Sequence, residues 1–248
     1  MSIEIEKLTK CFGPKTAVNE LTLRVQPGEL YAFLGPNGAG KTTTIKTVTG
    51  LLRPTSGTVR VCGHHVCDAS AEARQAISYV PDQPFLYEKL SGREFLMFVA
   101  RMYRMDPAEA DRRIEELSDR FATAEYLDDL AEGYSHGMKQ RVVISAAILH
   151  DPKVLVIDEP MVGLDPRSAR LVKDTLRELV ARGVCVFMST HTLSIAEEVA
   201  SRIGIIHRGS MVAEGTVDEL RSLGHTSGKL EDIFLRLTRE EGVTSVPE

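Results

Sequence analysis

A glycine-rich stretch at residues 35–43 constrains this chain more than any other feature. It reads GPNGAGKTT, follows the apolar run Leu30–Leu34, and fits the pattern G-x-x-x-x-G-K-[ST] at every fixed position. Glycines let the main chain curl so that successive N–H groups point at phosphate oxygens, and the helix that follows adds its positive end. Lys41 can reach the β- and γ-phosphates, while the Thr42 hydroxyl can hold Mg²⁺. The predicted nucleotide contacts are Gly35, Pro36, Asn37, Gly38, Ala39, Gly40, Lys41, Thr42 and Thr43.

The hydrophobic pattern predicts an α/β fold. Alternating apolar residues before position 30 indicate antiparallel strands, and continuous apolar runs at 154–157 and 184–188 are typical of strands buried in a parallel sheet. Residues 85–149 are mostly helical in pattern. We therefore expect a P-loop NTPase (RecA-like) core with a parallel sheet, an N-terminal antiparallel β subdomain and an inserted α-helical subdomain.

Three segments organise the chain on this interpretation. A nucleotide-binding domain covers residues 1–223, and its helical subdomain occupies about 85–150. Residues 224–248 form a C-terminal helix and tail, in which Leu230, Ile233, Phe234 and Leu237 mark one apolar face.

Charge and hydropathy narrow the location and the partners. The net charge of −5 argues against nucleic acid as a partner, because nucleic-acid binders carry a basic excess. No apolar run approaches the ~18 residues that a membrane span needs. The first seven residues carry charges where a signal peptide would be apolar. We expect a cytoplasmic protein whose membrane partner, if it has one, is another chain.

Two neighbouring carboxylates follow the apolar run at 154–157. Asp158 and Glu159 come at the carboxyl end of the predicted strand, which is where open α/β sheets bind ligands. Asp158 suits Mg²⁺, directly or through water. Glu159 suits the polarisation of an attacking water molecule.

Further motifs identify a family. Residues 134–141 read YSHGMKQR, and they are followed by Asp158-Glu159, by GLDP at 163–166 and by STH at 189–191. With the phosphate loop these five motifs, in this order and spacing, resemble the ATP-binding subunit of an ABC transporter. The resemblance covers residues 1 to about 220. It is nearest to ATPases of exporters of the drug, lipid or polysaccharide type.

The resemblance implies roles for several side chains. Phe12 resembles the aromatic residue that stacks on adenine, with Val18 nearby. Ser135 and Gly137 resemble the signature element, which contacts the γ-phosphate of ATP held by the opposite subunit. His191 resembles the switch histidine, which touches the γ-phosphate and orients the water.

The resemblance also implies a mechanism. Asp165 resembles the aspartate that links the two sites. Each chain would hold ATP and Mg²⁺ in its own phosphate loop and need the signature of a second copy to enclose the nucleotide. ATP then drives head-to-tail homodimerisation, hydrolysis opens the pair, and separate multi-span membrane (permease) subunits convert the motion into export. The chain would lie peripherally at the inner face of the cell membrane.

Two motifs depart from the family pattern. The family has a glutamine soon after the strand near residue 79, and here Asp82 stands at that position with Gln83 one residue later. We take Asp82 as the candidate Mg²⁺ ligand, and the choice between these two side chains stays open. In the signature, His136 replaces a glycine and Met138 a glutamine. His136 thus puts an imidazole ring where the family has no side chain.

Aromatic residues and methionines are concentrated at the start of the helical segment. Such residues are enriched at interfaces, and we expect one or two of them to line a groove for a helix of the membrane subunit. The others belong to the subdomain core. The group is Phe85, Tyr87, Phe95, Met97, Phe98, Met102, Tyr103 and Met105.

Two alternative functions remain beside the transporter ATPase. One is a soluble ABC ATPase in translation, repair or cofactor assembly. Against it, the chain carries one cassette, no long coiled-coil insertion and an acidic net charge. The other is a P-loop kinase or GTPase, in which the signature at 135–141 has no purpose.

Overall fold

The computed structural model describes residues 1–68, 71–223 and 230–238. The strands among these residues are β1 (Ile3–Phe12), β2 (Lys15–Val25), β3 (Leu30–Leu34), β4 (Ser56–Val61), β5 (His64–His65), β6 (Ile77–Val80), β7 (Val154–Asp158), β8 (Cys185–Thr190), β9 (Arg202–His207) and β10 (Ser210–Gly215). The α-helices are α1 (Lys41–Val48), α2 (Ala71–Ala76), α3 (Gly92–Met102), α4 (Pro107–Arg120), α5 (His136–Ile148), α6 (Pro166–Ala181), α7 (Leu193–Val199), α8 (Val217–Leu223) and α9 (Leu230–Thr238).

A six-stranded sheet forms the centre of the fold, in the order β10-β9-β3-β8-β7-β6. Strands β9, β3, β8, β7 and β6 run parallel, and β10 pairs with β9 in the antiparallel sense. Leu34 pairs with Thr190 and Asp158 with Ser189, so the carboxyl ends of β3, β8 and β7 lie side by side. Ligands of open α/β sheets bind at this edge.

Strand β3 belongs to two hydrophobic cores at once. Leu30, Ala32 and Leu34 pack into a core shared with the helices on one face of the sheet. Tyr31 and Phe33 alternate with them and pack into a second core, shared with the antiparallel sheet and α1. The period of two along a strand sends successive side chains to opposite faces. This explains why all five residues of β3 are buried.

The second sheet is antiparallel, with four strands in the order β2-β1-β4-β5. Strands β1 and β2 form a hairpin whose turn holds Gly13 at φ +58°. The turn needs this positive φ, and glycine adopts it without strain. Phe12 closes β1 directly before the turn. The predicted N-terminal antiparallel β subdomain and parallel-sheet core are both confirmed.

Helices α3, α4 and α5 form the helical part of residues 85–150. Each begins at a side chain that accepts hydrogen bonds from main-chain N–H groups of its first turn: Ser91 for α3, Asp106 for α4 and Ser135 for α5. Such caps satisfy N–H groups that have no partner inside the helix. Between α4 and α5, irregular chain occupies residues 121–135 apart from one short 3₁₀ turn.

The helix after the phosphate loop is shorter than predicted. The sequence favours a helix to residue 52, but α1 ends at Val48. Gly50 has φ +74°, a conformation that terminates helices, and the main-chain N–H of Leu52 turns back to the carbonyl of Lys46.

At the C-terminal end, α9 packs on the core through Leu230 and Ile233, which are both buried. The predicted link at 224–229 and the tail from residue 239 lie outside the described residues. Within the described ranges, no helix has both the length and the hydropathy needed to cross a membrane.

Candidate nucleotide site

A cleft of about 530 Å³ opens at the carboxyl edge of the parallel sheet. It brings together the phosphate loop, the hairpin end of β1–β2, and the ends of β6, β7 and β8. Its walls are Phe12, Lys15, Ala17, Asn37, Gly38, Gly40, Lys41, Thr42, Thr43, Asp82, Asp158, Glu159 and His191.

The phosphate loop curls between β3 and α1. Gly38 and Gly40 have φ of +78° and +111°, which L-residues rarely adopt. A Cβ at Gly40 would lie 2.6 Å from the carbonyl oxygen of Ala17, so the loop also needs glycine there for space. The main-chain N–H groups of these two glycines donate to no other described residue. Unpaired N–H groups at a helix N-terminus are a binding site for phosphate oxygens.

Lys41 lies at the inner side of the loop and is 7% exposed. Its Nζ donates to the carbonyl oxygens of Gly35 and Pro36, at 2.7 and 3.3 Å, and lies 3.9 Å from Glu159 Oε1. Burial lowers the pKa of Lys41, and the nearby carboxylates of Glu159 and Asp158 oppose that shift. The ammonium group therefore stands between the loop carbonyls and the open cleft, ready to exchange these carbonyls for phosphate oxygens.

Asp158 is the best-anchored acid of the cleft. It is 1% exposed; Thr42 Oγ1 donates to its Oδ2 at 3.1 Å, and the Ser189 hydroxyl donates to its Oδ1. Burial raises the pKa of Asp158, while the hydrogen bonds from Ser189 and Thr42 act in the opposite direction.

The oxygen atoms around Asp158 fit a hard divalent cation such as Mg²⁺. Thr42 and Asp158 already lie in hydrogen-bonding contact, and Asp82 lines the same cleft. Gln83 does not line the cleft. Of these two neighbours, Asp82 is the one on the cleft side, and its part in holding a metal stays a prediction.

Glu159 and His191 form a pair at the open side of the cleft. Glu159 has φ +48°, and its main-chain N–H donates to the Ser189 carbonyl oxygen at 3.2 Å. Its Oε1 lies 2.8 Å from His191 Nδ1, and because a carboxylate only accepts, the ring carries a proton on Nδ1. The Glu159 side chain is 14% exposed and that of His191 51%. The acid is therefore shielded while the histidine faces the solvent.

The adenine contact that the family resemblance implies has a matching side chain. Phe12 lines the cleft and is 48% exposed, with Lys10 Nζ 5.0 Å from its ring centroid. An exposed aromatic face offers a stacking platform. The structure does not bring Val18 into the cleft: its side chain is fully buried in the core below, and Ala17 lines the wall instead. The strand alternation explains this, since neighbouring residues point to opposite faces.

The signature residues lie outside this cleft. Ser135 is exposed at the start of α5, and its Oγ accepts from the Met138 N–H at 3.3 Å. Gly137 is one residue into the helix, and a Cβ there would meet only the Leu164 side chain, at 3.8 Å. Asp165 caps α6, accepting from the N–H groups of Arg167 and Ser168. Neither Ser135, Gly137 nor Asp165 lines the cleft of its own chain.

Three further side chains hold the segments around the site, and the sequence predicts none of their contacts. Ser189 fixes Asp158, and its register opposite that residue in the sheet is the signal that would have found it. His136 Nε2 lies 3.2 Å from the Val162 carbonyl oxygen, and Gln140 Nε2 lies 3.5 Å from that of Pro160. No local pattern predicts these last two contacts, because they join segments more than 15 residues apart.

Comparison with known proteins identifies the family. The profile described as ABC transporter matches residues 18–162, more than half of the chain. The chain belongs to the ABC transporter family. It is an ATP-binding subunit with the P-loop ATPase fold and ATP-hydrolysing activity of that family.

Relatives of this ABC protein carry names from drug resistance and export. It is 42% identical over 221 residues to the daunorubicin/doxorubicin resistance ATP-binding protein of Streptomyces peucetius, covering 89% of this chain and 67% of the relative. It is 40% identical over 214 residues to the Nod factor export ATP-binding protein I of Burkholderia lata, covering 86% and 70%. Neither protein is named for translation, repair or cofactor assembly.

A solved ATP-binding subunit of an ABC transporter superposes with a TM-score of 0.91 at 34% identity. The superposition covers 96% of this chain and all of that one. The expected fold and the expected family are therefore both confirmed.

Proposed function

We propose that this ABC subunit powers export through separate multi-span membrane subunits, acting at the inner face of the membrane as a head-to-tail homodimer. One observation carries the proposal: Ser135 and Gly137 stand outside the cleft of their own chain. Since the family resemblance gives the signature a contact with the γ-phosphate, a chain that holds the triphosphate in its own loop would receive that contact from a second copy. Relatives named for resistance and export support the outward direction.

The residues of the cleft have distinct parts in the proposed hydrolysis. Glu159 polarises a water molecule and takes up its proton, and His191, hydrogen-bonded to the same carboxylate, orients the pair. The water oxygen bonds to the γ-phosphorus as the bond from that phosphorus to the β,γ-bridging oxygen breaks. ADP and inorganic phosphate leave. Lys41 balances the negative charge of the phosphate oxygens.

The proposed metal site uses oxygen atoms alone. Thr42, Asp158 and Asp82 would hold Mg²⁺, which supplies positive charge to the phosphate oxygens when bound. A carboxylate at position 82, in place of the amide of the family pattern, adds one negative charge to this set. We therefore expect the chain to bind its cation through two acids and one hydroxyl.

The aromatic group gives the proposed membrane partner a surface. Phe85, Tyr87 and Phe98 are 66%, 48% and 42% exposed, and the Tyr87 ring lies 5.4 and 5.8 Å from those of the other two, centroid to centroid. Met102, at the end of α3, is 68% exposed. Aromatic and methionine side chains are enriched in interfaces. We assign the contact with the membrane subunit to this aromatic patch.

ATP-driven dimerisation is tested with Glu159→Gln. The amide keeps the size of the side chain but cannot take up a proton, so turnover falls by at least about 100-fold. The variant still binds ATP, and light scattering should find it as a dimer in ATP and as a monomer in ADP. Lys41→Ala is the control that binds no nucleotide and stays monomeric. Normal turnover by Glu159→Gln would remove the general base from this site.

The membrane partner is tested by capture of the tagged chain from detergent-solubilised membranes of its native host. We expect a multi-span membrane protein in near-equal amount. Phe98→Glu should lose that protein and keep its ATPase activity. The matched control is Leu235→Glu on α9, which also charges an exposed apolar position, at 52% exposure. Capture of ribosomal, repair or scaffold proteins alone would refute the transport role and leave the ATPase intact.

A further inference from the structure

The start of α5 holds the chain segment that leaves Glu159. His136 is the first residue of α5, and its Nε2 lies 3.2 Å from the carbonyl oxygen of Val162. Because a carbonyl oxygen only accepts, the ring carries a proton on Nε2. Gln140, one turn later on the same face, is 1% exposed and its Nε2 lies 3.5 Å from the Pro160 carbonyl oxygen. Two side chains of α5 thus hold two carbonyls of residues 160–164.

The His136 ring also fills the space beside Gly163. That glycine has φ +74°, and a Cβ built on it would lie 2.7 Å from His136 Cδ2 and 3.0 Å from Nε2. The ring therefore packs against the main chain of Gly163 where another residue would place its side chain. The fit is close on both sides, through a hydrogen bond to Val162 and van der Waals contact with Gly163.

Residues 160–164 join two fixed points. At one end Glu159 stands in the left-handed region, with φ +48°, so the direction of its side chain depends on the path of the chain around it. At the other end Asp165 is tied to the first turn of α6 by hydrogen bonds of 2.9 and 3.0 Å from main-chain N–H groups. Among the described residues, the side chains that donate to main-chain carbonyls of residues 160–164 belong to α5.

We propose that His136 is a positioning residue that sets Glu159 relative to Ser135. It does not line the cleft of its own chain. It holds Val162–Gly163 against the helix that begins at Ser135, so that movement of the signature displaces the segment attached to the general base. The proposal rests on the proposed function, in which Ser135 and Glu159 of one chain serve opposite nucleotides. His136 then links the two sites of the dimer.

The link needs a donor at the position of His136 Nε2, and this requirement defines the test. Leucine at position 136 keeps much of the bulk and loses the donor. Glutamine, whose terminal amide reaches about as far as Nε2, keeps the donor.

The main experiment compares His136→Leu with His136→Gln in steady-state ATP hydrolysis. We expect His136→Leu to lower kcat about fivefold, the effect of one lost hydrogen bond, and to change KM less than twofold. ATP affinity of the monomer should stay unchanged, since the phosphate loop is intact. His136→Gln should restore most of kcat. The control is His64→Leu, because His64 is an exposed histidine of β5, far in sequence from position 136.

Equal activity of wild type and His136→Leu would overturn the proposal, and so would equal impairment of both variants at position 136. The proposed function fails separately: wild type would then hydrolyse no ATP, or Glu159→Gln would stay monomeric in ATP. If His136→Leu lowers kcat but not KM and the chain never forms a dimer, the dimer is rejected. The link between His136 and Glu159 is then retained.

A second pair of variants approaches the contact from the other side and does not depend on the fate of His136→Leu. Gly163→Ala places a methyl group against the ring, and we expect kcat to fall. In a chain that also carries His136→Gly the ring is absent, so the same alanine should cost less. The strain of alanine at φ +74° is present in both backgrounds and cancels in the comparison. Additive effects of the two substitutions would refute the contact as the cause.

Discussion

Half-buried His150 makes the fold sensitive to acid, and the size of the effect follows from its surroundings. The residue comes two positions after α5, and its ring stacks on that of Tyr103 at the end of α3, with 3.5 Å between centroids and 10° between planes. Its Nε2 lies 3.3 Å from Ser78 Oγ on β6, and its Nδ1 is buried without a partner among the described residues. His150 thus joins the helical segment to the parallel sheet as a neutral ring.

Burial lowers the pKa of His150 from 6.5 to about 4, while Asp151 acts weakly in the opposite direction. The unfolded chain binds the proton as the pH falls through about 6.5, but the folded chain does not until about pH 4. Stability from this group is therefore complete above pH 6.5 and is lost as the pH falls toward 4. At pH 5 the two pKa values give a loss of about 2 kcal/mol.

The test is urea unfolding at pH 7.5 and pH 5.0, followed by circular dichroism because the chain has no tryptophan. His150→Phe keeps a ring for the stack on Tyr103 and removes the titrating nitrogens. We expect wild type to lose about 2 kcal/mol more than His150→Phe over this range. His150→Phe lacks the hydrogen bond to Ser78 at both pH values, so the cost of losing it cancels when the two pH values are compared.

His64→Phe serves as the control for this experiment. His64 is exposed in β5, so its replacement should leave the pH dependence of wild type unchanged. Carboxylates contribute equally to all three chains. An identical loss for wild type and His150→Phe would refute the reasoning, because the His150 ring would then not be the group that titrates.

Three further predictions concern the cleft. Asp82→Ala should raise the Mg²⁺ concentration for half-maximal ATPase by about tenfold and Gln83→Ala should not, and the reverse order would assign the metal to the glutamine. Gly40→Ala should abolish binding of a fluorescent ATP analogue, because its methyl group would lie 2.6 Å from a main-chain oxygen. Gly38→Ala has open space at its Cβ and should weaken binding only through the strain of its positive φ. Equal affinities of the two variants would show that φ alone matters. Phe12→Leu should raise the Kd for ATP about tenfold and Phe12→Tyr should not, as measured by titration calorimetry; an equal rise for both would exclude stacking as the contact.

Local patterns were enough to predict most of the elements of this fold. The apolar run at 154–157 predicts β7, and the apolar run at 184–188 predicts β8 to within two residues of its end at Thr190. Hydrophobic period and proline breaks are properties of short windows, so they survive without tertiary information. The end of α1 was missed because the positive φ of Gly50 depends on how the chain turns back toward Lys46.

The candidate site likewise has a part that the sequence predicts and a part that it does not. Lys41, Thr42, Asp158 and Glu159 belong to contiguous motifs, and the structure brings all four to one cleft. Val18 was placed there by family resemblance, but strand alternation turns it into the core. The contacts of His136 and His150 join elements that are far apart in the sequence. A short stretch of sequence therefore does not predict them.

The double membership of β3 has a consequence for mutations far from the cleft. Every residue of this strand packs into one of two cores, and the strand leads directly into the phosphate loop. A cavity opened on either side of the sheet is relieved partly by movement of β3, since close-packed interiors transmit strain. Temperature-sensitive alleles that weaken ATP affinity should therefore map to both cores, including positions such as Val59 and Val172 that lie outside the site.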